Sequence, residues 1–160
     1  MAPRVTPLDL TSLENLVAVD EDYSRRHSLA TVVDRASIHY YQRSGHSFVV
    51  TTQRAASGDD DLLGFVLAHA SWSGGRPVVR VERLATVAGA AAGAAAAAAA
   101  LVEAVVKSAY DAGVYDISAA VPNGDGLATT ALGGASFGPS DTSIYVRVLG
   151  SRAAQTHRGG

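Results

Sequence analysis

The stretch from Ala88 to Ala100 constrains the fold of this chain more than any other segment, because it contains eleven alanines and two glycines. It lies between a β-like run, Val78 to Thr86, and an amphipathic helical run, Leu101 to Tyr110. This position predicts a strand, a loop and the start of a helix. Side chains no larger than a methyl group over the first helical turns allow another backbone, or the phosphates of a ligand, to approach unpaired backbone N–H groups.

Length and charge exclude several classes of function. A chain of 160 residues is one domain of ordinary size that can bury a real core. The formal net charge of −2 leaves no electrostatic footprint for nucleic acid or an anionic membrane, so we expect neither as a partner. The chain has no cysteine, which excludes disulfides, thiolate metal sites and a cysteine nucleophile.

Neither a signal segment nor a membrane span is expected. Met1 to Leu10 contains two prolines and two charged residues and no apolar core, so a cytoplasmic location is the default expectation. A membrane span would have to use Leu84 to Val102, which is mostly alanine and is closed by Arg83 and Glu103. The apolar character of that window is too weak for a span.

Hydrophobic periodicity and turn signals predict ten elements in the order β, α, α, β, β, β, α, β, α, β. The strands are expected at Val5 to Leu8, Ser47 to Gln53, Leu62 to Trp72, Pro77 to Thr86, Val114 to Val121 and Ser143 to Leu149. The helices are expected from Thr11, which has capping-box spacing to Glu14, and at Leu29 to Arg43, Ala92 to Ala112 and Leu127 to Leu132, with a charged linker, Asp20 to His27, between the first two.

This order predicts an α/β domain of the α+β kind, with one twisted, mixed but mostly antiparallel sheet flanked by helices. The domain should span residues 1–150. Residues 151–160 are polar and rich in arginine and glycine, and we expect them to form a disordered C-terminal tail.

The same order, with a small-residue loop after the third strand of a meander, resembles the GNAT acyltransferase superfamily from about Val5 to Leu149. In that family a strand ends in the pattern Arg/Gln-x-x-Gly-x-Gly/Ala, whose backbone N–H groups hold the pyrophosphate of acetyl-CoA at a helix N-terminus. Placing Val87 on the family's valine puts Ala92 at the Arg/Gln position, Ala95 at the first Gly and Ala97 at the last position. Only Ala97 obeys the pattern.

The resemblance implies acetyl-CoA as the co-substrate. The backbone of the third meander strand would pair with pantetheine, and the loop amides would hold the pyrophosphate, since amides and a helix dipole do not depend on side-chain identity. The residues that this implies for the coenzyme are Leu84, Ala85, Thr86, Ala92, Gly93, Ala94, Ala95, Ala97 and Asn123. A purely structural explanation stays open, because an alanine-rich helix is also a good helix former that packs close to a sheet.

Downstream, the family commonly has an Asn after the fifth strand, a helix that carries a Tyr, and then Gly-Phe. Asn123 matches the first feature, and the segment from Gly133 to Phe137 resembles the last. The tyrosine position falls on Thr129 or Thr130, and a threonine hydroxyl is far too weak an acid to protonate a departing thiolate.

Two side chains are candidates for the chemistry of amine acetylation, which needs a base for the ammonium proton. In the GNAT fold a carboxylate on the strand before the loop often serves, and Glu82 is at about that place. His69 lies on the preceding strand, where alternation aims it into the same cleft, and imidazole exchanges protons near neutral pH. The alternatives are an exposed glutamate flanked by two arginines and a half-buried histidine bonded within the sheet.

Two functions therefore stay open. The first is an acetyl-CoA-dependent N-acyltransferase that acts on an amine of a small molecule or peptide; the second is a non-catalytic GNAT-like binding or interaction domain that has lost the coenzyme site. An open cleft beside Ala85 favours the first, and a filled one favours the second.

No metal site is expected, because the other histidines do not cluster with carboxylates. Both a monomer and a homodimer are compatible with the sequence.

Overall fold

The computed structural model describes residues 3–54, 57–89 and 91–147. These residues form one five-stranded sheet with the strand order β1-β2-β3-β4-β5, in which β5 is parallel to β4 and the other neighbours are antiparallel. This confirms the predicted fold class. The elements are β1 Arg4–Pro7, α1 Leu13–His27, α2 Arg35–Ser44, β2 Phe48–Gln53, β3 Asp60–Ser73, β4 Arg76–Thr86, α3 Ala91–Asp111, β5 Asp116–Ala119 and α4 Gly126–Gly134.

The helices cover both faces of the sheet, and the core is divided accordingly. Successive residues of β3 alternate between the faces: Phe65 packs under α1 and α2, and Val66 packs under α3 and α4. Over Gly93–Asp111, α3 is long and apolar enough by composition to span a membrane. The buried face of α3, which includes Leu101 and Val105, packs against the sheet. Packing in the core therefore explains why the helix is so apolar.

A gap opens beside the C-terminal half of β4. The pairing of β4 with β5 ends at Val81 and Ala119, so the β4 residues from Glu82 to Thr86 pair with no strand on that side in the described part of the chain. Glu82 is the extra residue of a β-bulge, because Leu67 pairs with Arg83 and the next β3 residue pairs with Val81. The bulge and the gap therefore occur at the same point of the sheet.

Close packing of β3 against β4 beside this gap requires a glycine. A Cβ atom on Gly64 would lie 2.5 Å from the carbonyl oxygen of Ala85 and 3.2 Å from the Cα of Thr86, both backbone atoms. A larger residue would push the two strands apart at Thr86, the end of the gap that is farther from Val81.

The predicted boundaries of the first two helices are wrong. The segment Asp20 to His27, predicted as a linker, is the second half of α1, where Asp22 pairs with Arg25 and Arg26 at helical spacing. The capping box predicted at Thr11 is absent, since the N-cap is Ser12 and its side chain makes no capping bond.

The second helix starts six residues later than predicted. Asp34 has extended backbone and forms a capping box with Ser37, so α2 begins at Arg35 rather than at Leu29. The apolar residues before Asp34 belong to the loop between α1 and α2.

The last predicted strand, Ser143 to Leu149, is also wrong over its described part. Residues 143–147 pair with no strand, and Tyr145 is 93% exposed. Alternation alone predicted this strand, and without a neighbouring ladder alternation does not make one. Residues 148–149 and the predicted tail, 151–160, lie outside the described residues.

Candidate active site

The two predicted catalytic residues meet on the face of the sheet that α2 covers. Nε2 of His69 lies 3.1 Å from Oε1 of Glu82, and Nδ1 of His69 lies 3.3 Å from the hydroxyl of Tyr40. Which ring nitrogen carries the proton depends on the tautomer. The arrangement is a chain of three proton-exchanging groups, with the Glu82 side chain 44% exposed at one end.

Aromatic rings surround the imidazole of this chain. The ring centroids of Tyr40 and Tyr41 lie 5.7 and 6.0 Å from that of His69. Burial raises the pKa of Tyr41, and the negative charge of Glu82 raises it further. A carboxylate beside aromatic faces is an environment that attracts an ammonium group.

A buried ion pair fixes the α1–α2 loop to the strand that carries Glu82. Oδ2 of Asp20 accepts hydrogen bonds from the backbone N–H groups of Val32 and Val33 at 2.7 and 2.9 Å. Nη1 of Arg83 lies 3.2 Å from Oδ1 of Asp20, and its Nη2 donates to the carbonyl of Ala30 at 2.9 Å. The loop is therefore held beside the bulge by charge and by backbone bonds.

A second buried contact joins helices from opposite faces of the sheet at the gap. The hydroxyl of Tyr23, on α1, donates to Oδ2 of Asp125 at 2.5 Å, and Asp125 is the N-cap of α4. Because the sheet separates the two helices elsewhere, this bond lies where β5 has left β4. Burial, then the hydrogen bond and charge of Asp125, raise the pKa of Tyr23 above its usual range.

The predicted pantetheine-binding residues line the same gap. Leu84 packs toward α3 and α4, Ala85 packs toward α1, and Thr86 is buried. The carbonyl of Thr86 already accepts a bond from Nη2 of Arg26 at 2.5 Å. Part of this backbone edge is thus occupied by an α1 side chain.

The alanine tract continues into α3, as predicted. In an α-helix the N–H groups of the first three helical residues lack intrahelical partners, so the free amides of α3 include those of Ala91, Ala92 and Gly93. Ala95 and Ala97 lie past that turn, and Ala97 is buried in the core. The unpaired N–H groups of α3 therefore lie at the start of the predicted loop residues, and not at Ala95 or Ala97.

A mainly apolar groove of about 550 Å³ runs between α3 and α4. It starts near the alanine tract, and Glu103 is its single charged side chain among the described residues. The residues that line it are Ala95, Ala99, Glu103, Val106, Leu127, Thr130, Ala131, Gly134, Ala135 and Ser136.

The remaining predicted positions are at the start of α4. Asn123 is exposed in the turn before Asp125. The hydroxyl of Thr129 donates to the carbonyl of Asp125 at 2.9 Å, and Thr130 faces the groove. In residues 3–54, 57–89 and 91–147, no three His, Asp or Glu side chains converge at metal-binding distance.

Sequence reasoning missed Tyr40, Asp20, Arg83, Tyr23 and Asp125 as site residues. The pattern of α2 indicated Tyr40 only as a residue at helical spacing, and it is 56% exposed. The other four form two pairs whose members lie 63 and 102 positions apart along the chain. No local spacing signals such contacts.

Comparison with known proteins decides the family. The sequence matches, over residues 8–159, a family described as "Protein of unknown function (DUF1999)". The chain belongs to the DUF1999 family. No functionally curated protein has significant sequence similarity to it.

Solved structures show the fold of this DUF1999 member. TTHA1254 from Thermus thermophilus is 30% identical, with a TM-score of 0.72 over 93% of this chain and 99% of that one. A probable acetyltransferase (15% identity, TM-score 0.67) covers 94% and 99%. AAC(6')-Iy, in complex with the bisubstrate analogue CoA-S-monomethyl-acetylneamine (16% identity, TM-score 0.61), covers 93% and 99%. The resemblance to the GNAT superfamily is thus confirmed at the level of the fold, and the alanine-rich loop before α3 departs from the pattern of that superfamily.

Proposed function

We propose that this protein is an acetyl-CoA-dependent N-acyltransferase that transfers an acetyl group to a primary amine. The observation that carries the proposal is the contact of His69 with Glu82 at the β4 bulge, beside the gap between β4 and β5. It places a proton-accepting pair next to the strand edge that would hold a thioester. The GNAT fold of the neighbours supports the same reaction class.

The acceptor amine must lose a proton before its nitrogen attacks the thioester carbonyl. In this proposal Glu82 takes that proton from the ammonium group and shares it with His69, 3.1 Å away, and solvent then takes it from the exposed carboxylate. The hydroxyl of Tyr40 orients the imidazole through its contact with Nδ1. The nitrogen–carbon bond forms, the carbon–sulfur bond breaks, and the thiolate leaves with the electron pair. Thiols ionise near pH 8.5, so the thiolate can leave first and take its proton from water, without a tyrosine on α4.

Backbone and apolar contacts would hold the coenzyme. The unpaired edge from Leu84 to Thr86 suits the amides of pantetheine, and the first turn of α3, with the macrodipole behind it, suits the pyrophosphate. Asn123 and the groove between α3 and α4 would contact the remainder. The complex of AAC(6')-Iy with a coenzyme A bisubstrate analogue supports a coenzyme of this type in a similar fold.

A second candidate, a non-catalytic binding domain, is favoured by one specific observation. The Tyr23–Asp125 bond and the Arg26–Thr86 bond both occupy the gap through which pantetheine would pass. If these buried contacts persist in solution whenever acetyl-CoA is present, the gap is closed and the fold serves another purpose.

Measurement of thiol release from acetyl-CoA with a panel of primary amines tests the first candidate. We expect amine-dependent release, and a 10²- to 10⁴-fold lower kcat/KM for Glu82→Gln, the usual range for loss of a general base. Glu21→Gln, which changes an exposed carboxylate on α1, is the matched control and should keep full activity. Equal rates for the two variants, with both folded, would contradict the role of Glu82.

A cytoplasmic location stays a prediction, and both a monomer and a homodimer stay open. The absence of nucleic-acid and membrane partners is likewise an expectation from the charge of the chain.

A further inference from the structure

A cleft of about 520 Å³ opens between α2 and β3, immediately beside the Tyr40–His69–Glu82 chain. Its size is in the range of pockets that bind small molecules. The residues that line it are Ala36, His39, Tyr40, Arg43, Ser44, His69 and Ala70.

The charges around this cleft are unbalanced. Arg43 and His39 line it, and no carboxylate does. Within the described part of the chain, neither side chain takes part in an ion pair. Arg80 lies opposite His69 in the register of β3 and β4, and its Nε donates a hydrogen bond to the hydroxyl of Ser71. The lining of the cleft thus carries one guanidinium and no carboxylate.

The spacing along α2 places the cation and the reaction centre on one side of the cleft. Tyr40 and Arg43 are three residues apart, so their side chains lie on the same face of the helix. The hydroxyl of Tyr40 contacts His69, which in turn contacts Glu82. A ligand in the cleft therefore meets the guanidinium of Arg43 and the imidazole of His69, and the carboxylate of Glu82 lies 3.1 Å from that imidazole.

We propose that the acceptor is a small zwitterionic molecule: a primary amine that also carries a carboxylate or phosphate group. The anionic group binds Arg43, whose planar fork matches carboxylate and phosphate oxygens, and this places the ammonium at Glu82. This inference rests on the proposed function, since it names the acceptor of the same reaction. Arg43 is a specificity-determining residue and takes no part in proton transfer.

Three amines of similar length test this inference: 4-aminobutyrate, 3-aminopropyl phosphate and butylamine. We expect kcat/KM to be about tenfold or more higher for at least one anionic amine than for butylamine, mainly through KM. Comparison of the first two shows which anion is preferred. Arg43→Gln should remove the preference and leave butylamine unaffected, and Arg43→Lys should keep part of it. Arg35→Gln, on the same helix but outside the cleft, is the matched control.

Thermal shift of the same variants with each amine, in the absence of acetyl-CoA, separates the two proposals. Equal use of all three amines, unchanged in Arg43→Gln, would overturn the zwitterionic acceptor and leave the acyltransferase standing. Stabilisation by an anionic amine that Arg43→Gln abolishes, without acetyl transfer to any amine, would support the anion site and contradict the acyltransferase. No stabilisation and no transfer would overturn both.

Discussion

Replacement of Asp20 by Asn removes the charge that balances a buried guanidinium. Asp20 is 1% exposed, and its carboxylate contacts Arg83 and the amides of Val32 and Val33. Loss of one partner from a buried ion pair typically costs about 3–5 kcal/mol, because the other charge stays buried and uncompensated. Asparagine keeps one oxygen for the backbone amides, so we expect the lower end, about 3 kcal/mol of unfolding free energy.

Urea unfolding followed by far-UV circular dichroism at neutral pH measures this loss. With an m-value of about 2 kcal/mol per molar urea, a loss of about 3 kcal/mol lowers the midpoint by about 1.5 M. Asp22→Asn is the control, since Asp22 makes surface ion pairs with Arg25 and Arg26 that are worth about 1 kcal/mol or less.

The second substitution Arg83→Met should restore part of the loss, because it removes the uncompensated charge and fills a similar volume. Hydrogen exchange at the amides of Val32 and Val33 should speed up in Asp20→Asn and not in the Asp22 control. Equal midpoints for Asp20→Asn and Asp22→Asn would refute the reasoning, since they would show that water already screens Arg83.

Three further predictions concern other buried contacts. Gly64→Ala should cost about 1–3 kcal/mol, because its Cβ meets the Ala85 carbonyl, and an unchanged urea midpoint would show that the strands separate freely. Tyr23→Phe should cost about 1–3 kcal/mol by leaving a buried Asp125 oxygen without its donor, and a wild-type melting temperature would mean that water replaces the hydroxyl. Burial lowers the pKa of His46 in the folded chain, so the unfolded chain takes up its proton first as pH falls. Stability should therefore decline below the usual histidine pKa and level off below the folded-state pKa. Thermal melts of the wild type and of His46→Gln, from about pH 7.5 to about pH 5, measure this decline, which should be smaller in the variant. A decline of the same size in both proteins would assign it to other groups.

The fold was largely predictable because its strongest signals are local and periodic. The meander from β2 to β4 follows from two-residue alternation broken by polar turns, and α3 follows from the alanine tract and the apolar stripe after it. The errors occur where tertiary contacts override local patterns. The charges from Asp20 to His27 look like a linker, yet Asp20 is buried by its contact with Arg83 and the rest pair along the helix.

The candidate site was predictable only in its strand residues. The predicted meander made the strands of His69 and Glu82 neighbours, alternation aimed His69 into the cleft of Glu82, and the structure brings the two side chains to 3.1 Å. The bulge at Glu82 and the meeting of Tyr23 with Asp125 depend on how β5 diverges from β4, which no spacing in the sequence records. The same holds for Tyr40, since the contact of its hydroxyl with His69 arises from the packing of α2 over β3.

Isothermal titration with acetyl-CoA tests the central claim most directly, with desulfo-CoA and ADP as comparison ligands. The account predicts saturable binding of acetyl-CoA and desulfo-CoA with a Kd on the order of 1–100 μM, and much weaker binding of ADP, which lacks the pantetheine that the β4 edge would hold. At about 1 mM a ligand saturates its site only if its binding free energy is more favourable than about −4 kcal/mol. The absence of both binding heat and thermal stabilisation at that concentration of acetyl-CoA would contradict the acyltransferase. That result would leave a GNAT-shaped domain whose gap is closed by Tyr23 and Asp125.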